Sequence, residues 1–186
     1  MKLILKTKLL PDESQFQALM DTMLSFNVIQ NDFSQQAFDT KVFEKNQLQK
    51  IAYHPSRKKY PHFGSQLTIR AIDSVCQSYK KYRNKSHKFK STSAVIYDHR
   101  VVRYISNQLV SIWTINGRFK IPIQIWNNDK FKQLKGQTDL ILQNGEFYLV
   151  STVDIQEPEP IQPTQFLGVD LGLVNIETDS TGEIFK

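Results

Sequence analysis

The last quarter of the chain contains one carboxylate in a setting that suits metal chemistry. Asp170 lies inside an apolar run, with Gly168 and Gly172 two residues away on either side. A carboxylate within a hydrophobic strand is costly unless it binds a cation or is fully hydrogen-bonded. Small glycines beside it would let a ligand approach closely. Asp170 is therefore the candidate catalytic residue and metal ligand, of the kind that holds a divalent metal in a two-metal nuclease.

The middle of the chain carries a strong excess of positive charge. Of the net charge of +6, residues 1–60 contribute +3, residues 61–120 contribute +9 and residues 121–186 contribute −6. The densest stretch, residues 80–90, holds six Lys or Arg and no acidic residue. Such a segment suits a polyanion, of which nucleic acid is the common one. A helix C-terminus or a solvated surface would also account for part of this charge.

A second basic segment, residues 54–64, contains two prolines, a glycine and three adjacent cations, and its composition predicts a loop. Aromatic side chains beside cations can stack on bases while the cations pair with phosphates, although a solvated loop fits the same residues. His54 and His62 have no cysteine near them in sequence and do not indicate a metal site. The candidate nucleic-acid contacts are Arg57, Lys58, Lys59, Tyr60, Arg70, Lys80, Lys81, Arg83, Lys85, Lys88, Lys90, Arg100 and Arg118.

The sequence predicts an opening strand over residues 3–10. After it, apolar and polar residues alternate little in the first half of the chain, and their spacing predicts mainly helix. Apolar residues at helical spacing predict a long helix over 13–38, broken near Asn27, and a shorter one over 44–52. Asp12, with Gln15 three residues later, predicts a capping box at the start of the long helix. The strongest helical pattern covers residues 65–84. Its apolar stripe consists of Ile69, Ile72, Val75, Cys76, Tyr79 and Tyr82.

From residue 93 onwards the pattern changes to β-rich runs. Asn116 with Gly117, and Asn144 with Gly145, are type I′ hairpin signals between such runs. Four or five antiparallel strands joined by tight turns predict a small barrel or sandwich. The opening strand would complete it, which makes the helices an insertion between the first strand and the second.

The remaining features set the context of the chain. Residues 156–165 hold three prolines and predict an extended linker, followed by one buried strand, a turn and the start of a second strand. Cys76 is the only cysteine, which excludes an internal disulfide and a cysteine-based zinc site in this sequence and fits a reducing cytosol. No apolar run approaches the length of a transmembrane helix, and the lysine-interrupted start does not fit a signal peptide.

Taken in order, these pieces resemble the N-terminal part of the TnpB (OrfB) proteins of bacterial insertion sequences. That family consists of transposon-encoded, RNA-guided DNA endonucleases related to the type V CRISPR effectors. The resemblance covers nearly the whole chain. It rests on the opening strand before a long helix, the helix at 65–84, the tetrad at residues 97–100 (YDHR) and the hairpin at 117–122. The most specific block, FLGVDLGLVNIETDSTGE, resembles the first RuvC motif, with Asp170 matching its first catalytic carboxylate.

This resemblance implies an α+β fold. An antiparallel, wedge-like β-barrel domain (residues 1–11 and 91–155) would hold an inserted helical recognition lobe (12–90). A linker (156–165) would then lead to the first β-hairpin of an incomplete RNase-H-like RuvC domain (166–186). It also implies guide RNA and target DNA as partners, Mg²⁺ held by two Asp and a Glu, a cysteine-rich zinc ribbon, and a cytoplasmic, nucleoid-associated location without membrane contact.

The chain departs from the family at its end, because Lys186 comes only sixteen residues after Asp170. The second and third carboxylates and the zinc ribbon of the family have no counterpart in this sequence. Two-metal catalysis needs several carboxylates around the metals. We therefore expect this chain alone not to cleave DNA, although a separate C-terminal RuvC fragment could complete the site. Two alternatives are a nuclease-dead RNA- and DNA-binding module acting as a repressor, and a fragment of an ATPase or sugar kinase that uses Asp170 for phosphate.

Overall fold

The computed structural model describes residues 2–125, 134–155, 169–170, 177–179 and 184–185. The chain divides into two compact units, Met1–Ile155 and Gln156–Lys186. Within the described residues, the first unit combines three helices with a seven-stranded antiparallel sheet, so the predicted α+β class is confirmed. No helix in this described part of the chain is both long and apolar enough to cross a membrane.

Helix α1 (Glu13–Thr40) begins at the predicted capping box. The Asp12 carboxylate accepts from the Gln15 amide at 2.8 Å, and the Gln15 side chain accepts from the Asp12 amide at 3.2 Å. The predicted break near Asn27 is wrong, because the helix continues through it. Asn27 is fully buried, and its Nδ2 donates to the Met23 carbonyl at 2.9 Å, one turn earlier. Its polarity is thus partly satisfied within the helix.

Helix α2 (Lys45–Lys59) extends further than predicted and includes residues 54–59, which the composition assigned to a loop. Pro55 lies inside this helix, where it removes one backbone donor at a cost of about 3 kcal/mol. Leu48 and Ala52 on the same helix are fully buried in the core. Their burial favours the helix over the loop that proline would otherwise produce.

Helix α3 (Ser65–Ser78) is shorter than the predicted helix over 65–84. The stripe residues Ile72, Val75 and Tyr79 are fully buried, which confirms that face of the helix. Tyr82, predicted to continue the stripe, is instead 55% exposed because the helix has already ended.

The sheet places the opening strand at its centre. Its strands are β1 (Lys2–Leu9), β2 (Val95–Tyr97), β3 (Val102–Ser106), β4 (Leu109–Thr114), β5 (Gly117–Ile125), β6 (Leu134–Gln143) and β7 (Glu146–Asp154). Their order is β2-β6-β7-β1-β5-β4-β3, and every paired neighbour is antiparallel. The opening strand therefore pairs with the later β-rich runs, as the sequence predicts.

The sheet curls into a half-barrel. Three strands separate β3 from β7 in the sheet order, yet the hydroxyl of Tyr104 on β3 lies 3.1 Å from the hydroxyl of Ser151 on β7. Thr138 on β6 contacts the same serine hydroxyl at 2.9 Å. Such a contact across the concave face requires strong curvature of the sheet.

The two predicted hairpins differ in their turns. Asn144 and Gly145 have positive φ values of 51° and 78°, as a type I′ turn requires. In the β4–β5 hairpin, Gly117 has φ 107° but Asn116 does not have a positive φ, so this turn is not type I′. There the Thr114 hydroxyl donates to the Gly117 carbonyl at 2.9 Å and closes the turn.

One hydrophobic core joins the helices to the sheet. It includes Phe26 of α1, Leu67 of α3, Ile112 of β4 and Leu140 of β6, all fully buried. The three helices do lie between β1 and β2 in chain order. A helical lobe separate from the β-unit is nevertheless not confirmed, because both belong to the same compact unit.

The described residues of the second unit form three short strands, β8 (Val169–Asp170), β9 (Glu177–Asp179) and β10 (Ile184–Phe185), in the order β10-β9-β8. Val169 pairs with Asp179 in an antiparallel register. The prediction of one continuous strand across this region is therefore wrong. The predicted linker, residues 156–165, lies outside the described residues, and the RuvC identity of the hairpin stays a prediction.

Candidate nucleic-acid interface

The most basic segment of the chain connects α3 to β2 without helix or strand. We call residues 80–93 the basic strap. It contains all six cations of the densest stretch and no acidic residue. The position of its main chain is fixed by side chains of α1, which lie on one face of that helix.

Two asparagines of α1 hold the C-terminal half of the basic strap. Asn27 Nδ2 donates to the carbonyls of Ser91 and Ser93 at 3.0 and 2.9 Å. One turn further along, Asn31 pairs with Phe89 through both its amide nitrogen and its oxygen, at 3.0 and 2.8 Å. The strap therefore runs antiparallel to α1, with its backbone polar groups satisfied by the helix.

The middle of the strap, at Ser86 and His87, is also held by α1 and by Tyr79. Ser34 Oγ donates to the His87 carbonyl at 2.6 Å, and the hydroxyl of Ser86 donates to Gln35 Oε1 at 3.2 Å. The buried Tyr79 hydroxyl accepts from the His87 amide at 3.1 Å and donates to the Ser34 carbonyl at 3.0 Å. These contacts order a segment whose composition alone suggests a mobile loop.

A row of planar groups fixes Arg83. Its guanidinium carbon lies 5.3 Å from the centre of the Phe43 ring. The centres of the Phe43 and Tyr79 rings are 4.8 Å apart, and the Tyr79 ring stacks on the His87 ring with their centres 4.3 Å apart. Arg83 Nε also donates to the Tyr79 carbonyl at 3.2 Å. Within the described residues its two terminal nitrogens have no partner, so they can bind an anion outside the protein.

The five lysines of the basic strap are exposed. None of them forms a salt bridge or hydrogen bond with any residue that the structure describes. They are Lys80, Lys81, Lys85, Lys88 and Lys90. The predicted lysine contacts of this segment are thus exposed and have no counter-charge among the described residues.

The predicted contacts on α2 have a different environment. Lys59 Nζ lies 2.5 Å from the Asp32 carboxylate, which also accepts a hydrogen bond from the Tyr60 hydroxyl. The bond to Asp32 raises the pKa of Lys59 above its usual value. Lys58 is exposed, whereas one terminal nitrogen of Arg57 is buried without a partner among the described residues. Lys59 and Tyr60 thus tie the end of α2 to α1.

Two of the predicted arginines, Arg70 and Arg100, bind a buried acid. Asp98, only 2% exposed, accepts from Arg70 Nη2 at 2.9 Å, from the Arg100 amide at 2.9 Å and from Arg100 Nη2 at 3.2 Å. Burial raises the pKa of Asp98, but these hydrogen bonds and positive charges outweigh it and leave the pKa below its usual value. Arg118 Nη2 in turn donates to the Arg100 carbonyl at 2.9 Å. The YDHR tetrad thereby holds the β2–β3 turn to α3.

Asp170 lies on β8, where its backbone pairs with Thr178. Its side chain is outside the described part of the structure. Among the residues that are described, no group of three or more His, Cys, Asp or Glu could hold a metal ion. The assignment of Asp170 as a Mg²⁺ ligand stays a prediction.

Sequence reasoning missed two features of this surface. One is the polar face of α1, whose signal is the spacing of short amide and hydroxyl side chains at residues 27, 31, 34 and 35. The other is Tyr82, which the helical stripe assigned to the core and which lies exposed within the basic strap.

Comparison of the chain with protein-family models and with curated proteins finds no match. The resemblance to TnpB proteins stays a prediction from the motifs.

Proposed function

We propose that this protein binds nucleic acid, and structured RNA in particular, through the basic strap. Its role would be that of the N-terminal, guide-RNA- and target-DNA-binding part of a TnpB-like RNA-guided DNA endonuclease. The observation that supports the proposal most directly is the basic strap: it carries six cations, and α1 holds the backbone of its C-terminal part at residues 87, 89, 91 and 93.

Order matters because a flexible basic tail loses conformational freedom on binding and thereby loses affinity. Between residues 87 and 93, the backbone of every second residue is already hydrogen-bonded to α1. Lys85, Lys88 and Lys90 are exposed beside it, so only their side chains have to be ordered when phosphates bind. Each phosphate that they neutralise releases counterions, which supplies the salt-dependent part of the free energy of binding.

Arg83 adds a more directional contact to this surface. Its side chain is held by the Phe43 ring and the Tyr79 carbonyl, and its terminal nitrogens are without partners in the described structure. A guanidinium can donate two parallel hydrogen bonds to one phosphate, which an ammonium cannot. Arg83 would fix the position of one phosphate, while the lysines contribute charge.

The test compares two triple variants that lower the net charge from +6 to +3 in different places. The first replaces Lys85, Lys88 and Lys90 of the strap with Gln. The matched control replaces Lys2, Lys50 and Lys120, which are exposed outside the strap. Fluorescence anisotropy would give the dissociation constant for a labelled structured RNA over a range of salt concentrations.

We expect the slope of log affinity against log salt to fall by up to about three in the strap variant, if all three lysines contact phosphate. The control removes the same charge, so a general loss of attraction would affect both variants equally. An unchanged slope in the strap variant, or an equal fall in the two, would exclude the strap as the binding surface.

A further inference from the structure

Among the Phe, Tyr and Trp side chains that the structure describes, only Tyr82 is exposed. It lies in the basic strap, four residues after the end of α3, and 55% of its surface is accessible. By contrast Tyr79, three residues earlier, is fully buried. The one exposed Phe, Tyr or Trp ring of the described residues thus lies within the most basic segment of the chain.

The two neighbours of Tyr82 in sequence are cations with different constraints. Lys81 Nζ lies 5.3 Å from the centre of the Tyr82 ring. Arg83 is directed onto Phe43 instead, so its guanidinium does not cover the Tyr82 ring. The Tyr82 hydroxyl has no hydrogen-bond partner within the described residues, so no hydrogen bond there fixes the ring.

We propose that the basic strap binds an unpaired nucleotide of RNA, with the base stacked on the Tyr82 ring and the adjoining phosphates bound by Lys81 and Arg83. This inference rests on the proposed function and names the form of nucleic acid that the same surface takes. Every base has a flat face that can stack on an aromatic ring, so the contact tolerates any sequence. A base inside a duplex is already stacked on both sides and cannot provide that face.

An apolar protein surface is the other occupant that an exposed tyrosine could accept. Such a surface would cover the neighbouring cations of the strap, which have no counter-charge among the described residues. Removing unpaired charges from water is unfavourable. A phosphate-bearing ligand supplies both the flat apolar face and the negative charge that this site lacks.

The experiment uses the full chain and three variants: Tyr82→Ala, Tyr82→Phe, and Ile105→Ala as a control at another exposed apolar residue. Affinity is measured over a range of salt concentrations for a single-stranded RNA and for a blunt RNA duplex of equal length. A second readout places 2-aminopurine in the single strand, because stacking quenches its fluorescence.

We expect Tyr82→Ala to weaken single-strand binding by about 5- to 100-fold and to abolish the quenching. Duplex affinity should stay within about twofold, and the salt slope should not change, because no charge is removed. Tyr82→Phe and Ile105→Ala should behave like the unaltered protein. Equal affinity of Tyr82→Ala for the single strand, or an equal loss for strand and duplex, would overturn the stacking proposal.

The lysine variants of the strap separate this failure from that of the proposed function. If replacing Lys85, Lys88 and Lys90 reduces RNA binding while Tyr82→Ala does not, the strap binds phosphates and only the stacking is wrong. If the unaltered protein binds neither RNA, both proposals are wrong.

Discussion

The side-chain amide of Asn31 pairs with the main chain of Phe89 in both directions. Its Nδ2 donates to the Phe89 carbonyl at 3.0 Å, and its Oδ1 accepts from the Phe89 amide at 2.8 Å. One helical side chain thus satisfies the donor and the acceptor that a neighbouring strand would satisfy in a sheet. This pairing explains how a segment with six cations and no regular structure keeps a defined path beside α1.

The first prediction concerns this pair. Asn31→Ala leaves the amide and the carbonyl of Phe89 without partners in a half-buried place, which costs about 1–3 kcal/mol. The loss should appear mainly as faster amide hydrogen exchange in residues 86–93, with a smaller decrease in the global free energy of unfolding.

Gln17→Ala on the same helix is a suitable control, because it removes only the exposed hydrogen bond from Gln17 to Asp21. Its effect on unfolding should be under about 0.5 kcal/mol. Unchanged exchange of the strap in Asn31→Ala would show that the α1 side chains do not hold it.

The elements that depend on neighbouring residues were predictable from the sequence. Asp12 and Gln15 form their capping box within one turn, and Asn144 with Gly145 sets its own hairpin. One exception among the long-range features is the pairing of the opening strand with the later β-rich runs, which was predicted from the order of the segments along the chain.

The elements that depend on distant residues were not predictable. Pro55 indicates a loop locally, but burial of α2 in the core keeps it helical. The pairing of Asn31 joins residues 58 apart in sequence, and no local pattern specifies that contact. Tyr82 has the right spacing for the buried stripe of α3, but the helix ends before reaching it.

The second prediction concerns the approach of Gly64 to Trp113. A Cβ at residue 64 would lie 2.8 Å from Trp113 Cη2 and 2.9 Å from Cζ2, closer than carbon atoms can approach without movement. Gly64 has φ −61°, so alanine would meet no backbone strain and only this contact is tested. Gly64→Ala should therefore reduce the free energy of unfolding by about 1–3 kcal/mol, measured by urea denaturation.

A double-mutant cycle with Trp113→Leu isolates the steric term. If the contact is the cause, Gly64→Ala should cost much less in the Trp113→Leu background. Equal costs in both backgrounds would place the effect elsewhere. Gly64→Ser should also destabilise, although serine is a good residue at the start of a helix.

The third prediction follows from the lowered pKa of Asp98. In the unfolded chain an aspartate titrates near pH 3.9, whereas the Arg70 and Arg100 groups keep Asp98 ionised to lower pH in the folded protein. Its contribution to stability is therefore complete above about pH 4 and is lost as the pH falls through the lower folded pKa.

Asp98→Asn should be less stable at pH 7 by about 3 kcal/mol, because the guanidinium of Arg70 loses its buried partner. The variant should also lose less stability than the unaltered protein on acidification below pH 4. Parallel stability curves for the two proteins over that range, obtained by denaturation at each pH, would contradict the assigned role of this carboxylate.

The last prediction concerns Cys76, which is buried on α3 at 6% exposure. Burial raises the pKa of its thiol to about 11, with the Asp73 carboxylate adding to the effect. At pH 8 only about one thiol in a thousand would then be ionised, whereas a thiol with an ordinary pKa of about 8.5 would be ionised in about a quarter of the molecules.

Because the thiolate is the reactive form, native Cys76 should react with Ellman's reagent at least a hundredfold more slowly than the same protein in urea. Raising the pH from 8 to 9.5 should increase the native rate about tenfold per pH unit without a plateau, provided that the protein stays folded by circular dichroism. A rate that levels off near pH 9 would show an ordinary thiol pKa and an α3 that opens readily to solvent.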